Sequence, residues 1–181
     1  MSMAVSPVRF KQGPIVVVMG VSGCGKSTIG AALALREGLP FLDADDYHPK
    51  TNIDKMSAGV PLTDQDRWPW LSVFGDAMRE AAKEKGGVIA ACSALKRTYR
   101  THLLERIGLP MVYVLLDGDR DILLKRISAR KGHYMPSTLL DSQLAALEKP
   151  TADEPALTIY IEQDVDSIVE EIKSALAVLS K

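Results

Sequence analysis

The stretch that decides the fold reads Gly20-Val21-Ser22-Gly23-Cys24-Gly25-Lys26-Ser27-Thr28. It follows the apolar run 15–19 and precedes an Ala- and Leu-rich segment at 29–36, so the order is strand, glycine-rich turn and helix. This spacing fits a nucleotide-binding phosphate loop, in which backbone N–H groups and a helix N-terminus surround an anion. Lys26 is expected to reach the outer phosphates, and the hydroxyl of Ser27 is suited to Mg²⁺. The alternative is an ordinary turn with chance glycines, which the strand, the spacing and the Lys-Ser pair together disfavour.

The composition is that of a soluble globular domain. The chain has 181 residues, of which 46% are hydrophobic and 25% are charged, enough for one domain with a sizeable core. The formal net charge of -1 argues against a broad nucleic-acid footprint and against electrostatic anchoring to a membrane. No apolar run approaches the roughly 20 residues that a membrane span needs. We therefore predict neither nucleic acid nor membrane as a partner.

Residues 1–13 carry no regular pattern and lack the architecture of a signal peptide, so we expect a flexible N-terminal segment. Residues 14–181 are predicted to form a single domain. The two cysteines are Cys24, inside the phosphate loop, and Cys92, at the end of an apolar run. Because a disulfide would distort the loop, reduced thiols in a cytoplasmic protein are expected.

Five apolar runs rich in Val and Ile are predicted to be buried parallel strands, at 15–19, 40–42, 88–92, 111–116 and 157–161. Helical patterns alternate with them at 27–37, 58–85 (interrupted), 96–107, 119–131, 137–148 and 164–179. This alternation predicts an α/β fold of three layers around a five-stranded parallel sheet. Ligands in such folds bind beyond the carboxyl ends of the strands, so the segments after each strand are the candidate site.

Asp43 and Asp45 follow the second predicted strand. They lie two residues apart, so both can face the site if the chain stays extended there. Phosphoryl transfer to a hydroxyl needs one carboxylate to orient the alcohol and take its proton, and often another near Mg²⁺. A solvated acidic turn is the alternative for this pair. For His48, a turn histidine is an equally good interpretation.

Basic side chains after the second and third strands are candidates for binding an acidic substrate. Arg67 can grip a carboxylate in a bidentate manner, whereas the neighbouring tryptophans are expected in the core. Lys96 is expected at a helix start, where a positive charge opposes the helix dipole and often signals a bound anion. A solvated helix face accounts easily for Arg97 and Arg100.

Arg126 and Arg130 lie four residues apart at the end of a predicted helix and are expected to share one face. Positive charge is favoured at a helix C-terminus on stability grounds alone. Beside a phosphate loop, the same pair could belong to a lid that neutralises the transferred phosphoryl group. Asp117 resembles a metal-binding carboxylate, but a turn with Asp119 as N-cap is the preferred interpretation.

Taken together, these motifs resemble the small P-loop gluconokinases, which are related to shikimate and nucleoside monophosphate kinases. The resemblance covers about residues 15–155. It rests on His48-Pro49-x-x-Asn52-x-x-Lys55-Met56, Gly59-x-Pro61-Leu62-x-Asp64-x-Asp66-Arg67-x-Pro69-Trp70-Leu71 and Cys92-Ser93-Ala94-Leu95-Lys96-x-x-Tyr99-Arg100. The phosphate loop alone predicts only nucleotide binding, whereas the second and third of these segments are typical of this family.

The resemblance implies ATP-dependent phosphorylation of D-gluconate at its terminal hydroxyl to give 6-phosphogluconate, with Mg²⁺. It also implies a nucleoside-monophosphate-kinase-like fold, a substrate-binding insertion at about 46–72, a mobile lid at about 130–138 and a homodimer. The residues expected to bind ATP are 20–28, Arg126 and Arg130; those expected to hold the metal are Ser27 and Asp43; those expected to be catalytic are Lys26, Asp45 and Arg130. The residues expected to bind the substrate are Asp45, His48, Arg67, Lys96, Arg100 and His133.

Two other functions stay open from the sequence. The same fold could phosphorylate shikimate, another sugar acid or a nucleoside monophosphate, although the segments around His48 and Arg67 speak against this. A nucleotide switch that acts through a partner is the second alternative. It lacks support, because the chain has no Asn-Lys-x-Asp motif of the guanine-binding type.

Overall fold

The computed structural model describes residues 13–130 and 137–179. The predicted flexible segment 1–13 therefore falls almost wholly outside the described residues. So does most of the predicted lid at 130–138, including His133. Within the described ranges, no helix is long and apolar enough to cross a membrane.

Five parallel strands form one sheet, in the order β2-β3-β1-β4-β5. Their bounds are β1 Ile15–Met19, β2 Phe41–Asp43, β3 Val88–Ala91, β4 Val112–Asp117 and β5 Ala156–Tyr160. Every neighbouring pair is parallel; β1, for example, pairs Val16 with Ile89 of β3 and with Val112 of β4. The central strands β1 and β3 are buried throughout, as their uninterrupted apolar sequences predict.

Helices cover both faces of the sheet. They are α1 Lys26–Glu37, α2 Lys50–Ser57, α3 Asp64–Lys85, α4 Arg97–Ile107, α5 Arg120–Ser128, α6 Ser137–Ala146 and α7 Val165–Leu179, with a short 3₁₀ turn at Ala44–Tyr47. Alternate residues of β1 point to opposite faces: Val16 and Val18 join one hydrophobic core, and Val17 and Met19 join the other. The predicted three-layer α/β fold with a parallel sheet is confirmed.

The largest differences from the predicted boundaries concern α2, α3 and α5. The region 58–85 was expected to be an interrupted helix, but a separate helix, α2, precedes it, and α3 begins only at Asp64. A capping box sets this start, because the Thr63 hydroxyl accepts from the N–H of Asp66 while the Asp66 carboxylate accepts from the N–H of Thr63. Helix α5 ends at Ser128 and not at residue 131.

Candidate active site

A pocket of about 410 Å³ opens at the carboxyl ends of β1, β2 and β3, where an α/β fold of this kind is expected to bind ligands. Its lining includes Ser22, Gly23, Gly25, Lys26, Ser27, Asp43, Asp45, His48, Arg67, Ser93, Arg130 and Gln143. A second, more open depression beside Trp68 and His102 contains no residue of the phosphate loop. The first pocket is therefore the candidate active site.

The phosphate loop presents free donors to this pocket. In the described part of the chain, the backbone N–H groups of Gly23, Gly25, Lys26 and Ser27 donate to no protein acceptor. Gly25, with φ 97°, is the N-cap of α1 and makes no side-chain hydrogen bond to the helix. The first N–H groups of the helix are therefore left without a capping acceptor. Unpaired N–H groups at a helix start form an anion-binding site. The loop can therefore bind the phosphates of a nucleotide.

Close packing holds the loop in this shape. A Cβ atom on Gly20 would lie 2.8 Å from the Sγ atom of Cys24 and 3.0 Å from the carbonyl oxygen of Leu116. Gly20 also has φ 141°, which disfavours any other residue. Cys24 and Cys92 are both buried, and neither forms a disulfide among the described residues. Desolvation by burial raises the pKa of Cys92 to about 12, so this thiol is unreactive.

Lys26 and Ser27 begin α1 and face the pocket. The Nζ atom of Lys26 donates to the carbonyl oxygen of Val21 at 3.1 Å, which curls the side chain back over the loop. The Oγ atom of Ser27 donates to Oδ2 of Asp43 at 2.6 Å. A hydroxyl and a carboxylate in contact beside a phosphate cradle fit Mg²⁺, which takes one or two protein oxygens and completes its shell with phosphate oxygens and water.

The turn after β2 places two carboxylates in the pocket. Asp43 accepts from the N–H of Asp45 at 3.0 Å, and this bond caps the 3₁₀ turn that follows. The side chain of Asp45 remains 86% exposed in the open pocket. Desolvation by the nearby pocket wall and the negative charge of Asp43 nevertheless raise its pKa, while Lys26 opposes this effect. Asp43 is thus fixed by hydrogen bonds, whereas Asp45 is free to meet a ligand.

His48 lies against the opposite wall, with its side chain only 5% exposed. Its ring stacks on Trp70 with a centroid separation of 4.0 Å and an interplanar angle of 20°. Desolvation by burial, and then the charge of Arg67, lower the pKa of His48 to about 4. The ring is therefore neutral near pH 7.

Arg67 projects from the first turns of α3 into the same pocket. Its Nη2 atom donates to the carbonyl oxygen of Leu62 at 3.3 Å, and its guanidinium lies 5.4 Å from the centre of the Tyr99 ring. Its Nε atom is buried and has no hydrogen-bond partner among the described residues. The guanidinium of Arg67 lines the pocket and carries a positive charge, so it can bind an anionic ligand there.

The chain is similar to several known proteins. The sequence profile of a family described as an AAA domain matches residues 15–150. A probable gluconokinase from Xenopus tropicalis is 44% identical, with 88% of this chain and 91% of the relative covered. A gluconokinase from Gluconobacter oxydans (strain 621H) is 46% identical, with 87% of this chain and 88% of the relative covered. The chain belongs to the gluconokinase family. A solved gluconokinase structure from Sinorhizobium meliloti 1021, 44% identical, superposes with a TM-score of 0.84 over 95% of each chain.

Not every residue that the gluconokinase resemblance predicted for the substrate reaches the pocket. The Nζ atom of Lys96 lies 3.0 Å from Oδ1 of Asp64, which also accepts from the Tyr99 hydroxyl. Lys96 is the N-cap of α4 and has a fixed counter-ion, and it does not line the pocket. The positive charge of Lys96 at a helix start is therefore balanced by the carboxylate of Asp64 in α3.

The prediction for Arg100 needs correction. Its side chain is 1% exposed, and its Nε and Nη2 atoms bind both carboxylate oxygens of Glu154 at 2.6 and 2.9 Å. Its Nη1 atom donates to the carbonyl oxygens of Ala94 and Leu95. With all three nitrogens in use, Arg100 is neither on a solvated helix face nor available to a substrate. It ties α4 to the segment before β5.

Arg126 and Arg130 do not share a helix face, because α5 ends between them at Ser128. The Nη2 atom of Arg126 donates to the carbonyl oxygen of Ile161 at 2.7 Å, which places it beyond the end of β5. Arg130 lines the pocket. Of the two, only Arg130 therefore faces the phosphate loop directly.

The sequence did not reveal Gln143. This residue of α6 lines the pocket, and its Oε1 atom accepts from the backbone N–H of Ser22 at 2.7 Å while its Nε2 atom donates to the Ser22 hydroxyl at 3.1 Å. A single glutamine in a helical segment carries no motif, and it is 121 residues from its partner. No sequence signal pointed to it.

Proposed function

We propose that this protein transfers the γ-phosphoryl group of ATP to the terminal hydroxyl of D-gluconate, giving 6-phosphogluconate and ADP. One observation carries the proposal: a single pocket holds both the free N–H groups of the phosphate loop and the guanidinium of Arg67. The first suits the phosphates of the donor, and the second suits the carboxylate of a sugar acid. The names of its relatives agree with this substrate.

In this proposal, the N-terminal end of α1 binds the donor. The free N–H groups of the loop and the ammonium of Lys26 neutralise phosphate charge. Ser27 and Asp43 would hold Mg²⁺, which offsets charge on the phosphate oxygens when bound. Arg130 would approach the transferred group from the lid side, and Arg126 would lie toward the nucleotide base.

The acceptor would occupy the space between Asp45, His48 and Arg67. Arg67 binds the carboxylate of gluconate, and Asp45 orients the terminal hydroxyl at the other end. As the hydroxyl oxygen bonds to the γ-phosphorus, the bond from this phosphorus to the β–γ bridging oxygen breaks, and the hydroxyl proton passes to Asp45. Positioning and electrostatics account for most of the rate of such a transfer.

Further assignments on domain organisation, oligomeric state and location belong to this proposal. Residues 14–181 form one kinase domain, with a substrate-binding insertion at about 46–72 and a lid at about 130–138 that includes His133. Two copies form a homodimer. The protein works in the cytoplasm, which its buried free thiols Cys24 and Cys92 support. Sedimentation of the purified protein measures the oligomeric state directly.

An ADP-release assay across several acceptors tests the activity. We expect turnover with D-gluconate that exceeds turnover with shikimate, other sugar acids or a nucleoside monophosphate by at least about 100-fold. Turnover with one of those acceptors in place of gluconate contradicts the substrate assignment. Hydrolysis of ATP at the same rate without any acceptor contradicts the kinase assignment and favours a nucleotide switch.

An Arg67→Lys variant tests the carboxylate contact. Lysine cannot reproduce a bidentate guanidinium, so the KM for gluconate should rise about 10-fold or more while the KM for ATP stays unchanged. Arg79→Lys is the matched control, because Arg79 lies on the same helix, outside the pocket lining. An unchanged KM for gluconate in Arg67→Lys contradicts the contact.

A further inference from the structure

We propose that Asn52 is a positioning residue that fixes His48 in the Nε2–H tautomer, so that His48 donates a hydrogen bond to the same acceptor hydroxyl that Asp45 orients. This inference rests on the proposed function for the identity of the acceptor. The assignment of the tautomer itself is independent of any substrate.

The buried amide of Asn52 has a chemically determined orientation. Asn52 is 2% exposed, and its side-chain nitrogen lies 3.0 Å from the backbone carbonyl oxygen of Asp66. A carbonyl oxygen only accepts hydrogen bonds, so the amide atom beside it must be the NH₂ group. The reverse orientation would place two oxygens in contact.

The same NH₂ group determines the protonation of His48. Its nitrogen is also 3.3 Å from Nδ1 of His48, and its second hydrogen is available for this contact. Nδ1 must therefore accept, which in a neutral imidazole leaves the proton on Nε2. The low pKa that burial gives this ring agrees with a neutral form.

The ring cannot turn to exchange its two nitrogens. His48 stacks on Trp70 at 4.0 Å, and the indole of Trp70 is itself held by a hydrogen bond from its Nε1 atom to the carbonyl oxygen of Ala44 at 2.7 Å. Asn52, the other contact of the ring, belongs to α2. The ammonium of Lys55 in α2 lies 2.8 Å from the carboxylate of Asp66 in α3, and this ion pair holds the two helices together. The Nε2–H group thus has a fixed direction.

Asp45 lies near this Nε2 atom. The Nε2 atom of His48 is 3.8 Å from Oδ1 of Asp45, which is too long for a direct hydrogen bond. A hydroxyl oxygen placed at about 2.8 Å from both atoms can accept from Nε2–H and donate to the carboxylate. A donor and an acceptor at this separation recognise a hydroxyl group, and both residues line the candidate active site.

The tautomer can be read by ¹⁵N NMR of the histidine rings in the full-length protein near pH 7.5. The chain has three histidines, and the signals of His48 are assigned by their loss in His48→Gln. We expect His48 to carry its proton on Nε2. A proton on Nδ1 or on both nitrogens would overturn the proposal, whether or not gluconate is the substrate.

Asn52→Asp tests the positioning role. A carboxylate at this position can only accept, so His48 should donate to it from Nδ1 and, as a neutral ring, lose the proton on Nε2. The KM for gluconate should then rise about 10-fold, the effect of about one hydrogen bond, with the KM for ATP unchanged. Asn52→Leu, which offers neither donor nor acceptor, should give mixed tautomers. An unchanged His48 spectrum in both variants would overturn the proposal.

Ser72→Ala is the matched control. Ser72 contacts Nε2 of His102 at 2.9 Å, at a site outside the pocket. This variant should alter the His102 signals and leave both the His48 signals and the KM for gluconate unchanged. If the wild-type protein shows the expected tautomer but does not phosphorylate gluconate, the proposed function fails and the tautomer assignment stands.

Discussion

Ser22 of the phosphate loop and Gln143 of α6 form two reciprocal hydrogen bonds, one through the backbone N–H of Ser22 and one through its hydroxyl. The N–H group of Ser22 is therefore occupied, whereas those of Gly23, Gly25, Lys26 and Ser27 are free among the described residues. Gln143 thus marks the edge of the anion-binding part of the loop. It also links the helix that follows the predicted lid to the nucleotide site.

Removing this link should weaken nucleotide binding. Gln143→Leu keeps the approximate size of the side chain and loses both hydrogen bonds, so the Ser22 peptide is less ordered before ATP binds. We expect the KM for ATP to rise about 3- to 10-fold, as two modest hydrogen bonds allow. Ala145→Ser, at an exposed position of the same helix outside the pocket lining, is the control. Equal KM values for ATP in the three proteins would show that the link has no role.

The carboxylate of Asp45 should matter for turnover more than for binding. Asp45→Asn keeps the shape of the side chain and loses the proton acceptor, so kcat should fall by about 100-fold or more. Asp46→Asn changes the neighbouring exposed carboxylate, which does not line the pocket, and should change kcat by no more than about twofold. Steady-state kinetics with gluconate measures both. Near-normal turnover in Asp45→Asn would remove this residue from the mechanism.

Arg100 should act on stability and not on substrate affinity. Glu154→Gln removes one charge of a buried pair and leaves Arg100 uncompensated, which typically costs about 3–5 kcal/mol. Asp153→Asn, which breaks the neighbouring exposed pair with Arg97, should cost about 1 kcal/mol or less. Urea unfolding measures both free energies. A raised KM for gluconate in a stably folded Glu154→Gln protein would return Arg100 to the substrate site.

His48 should make the fold sensitive to mild acid. Its pKa falls from about 6.5 in the unfolded chain to about 4 in the folded one, so between these values the unfolded state binds the extra proton. The free energy of unfolding should therefore decrease as the pH falls from 6.5 toward 4. Its slope with pH should approach the value for the uptake of one proton on unfolding. The decrease should be smaller in His48→Gln, in which other titrating groups, including Asp45, are retained. Parallel curves for the two proteins would contradict this assignment.

The fold was predictable because its signals are local. The apolar strand β1 and the glycines of the loop lie within one short stretch, and the phosphate loop requires that order of strand, turn and helix. Strands buried on both faces are uniformly apolar, so the parallel sheet was also visible in the sequence. Pocket residues close to strand ends, such as Asp45 and His48, followed from the same rule.

The remaining contacts depend on partners that are distant in the sequence. Arg100 and Glu154 are 54 residues apart, and Ser22 and Gln143 are 121 residues apart. No periodic pattern specifies such pairs, since tertiary packing alone brings them together. The same reason explains why Lys96 was expected to hold a substrate anion and instead pairs with Asp64.

The position of the new phosphate ester tests the central claim most directly. Phosphorus–proton correlation NMR of the product from ATP and D-gluconate identifies the carbon that carries the phosphoryl group. The arrangement of Arg67 at the carboxylate and Asp45 at the far hydroxyl predicts a single product phosphorylated at C6. A phosphoryl group on any other carbon, or the absence of a phosphorylated gluconate, would contradict it.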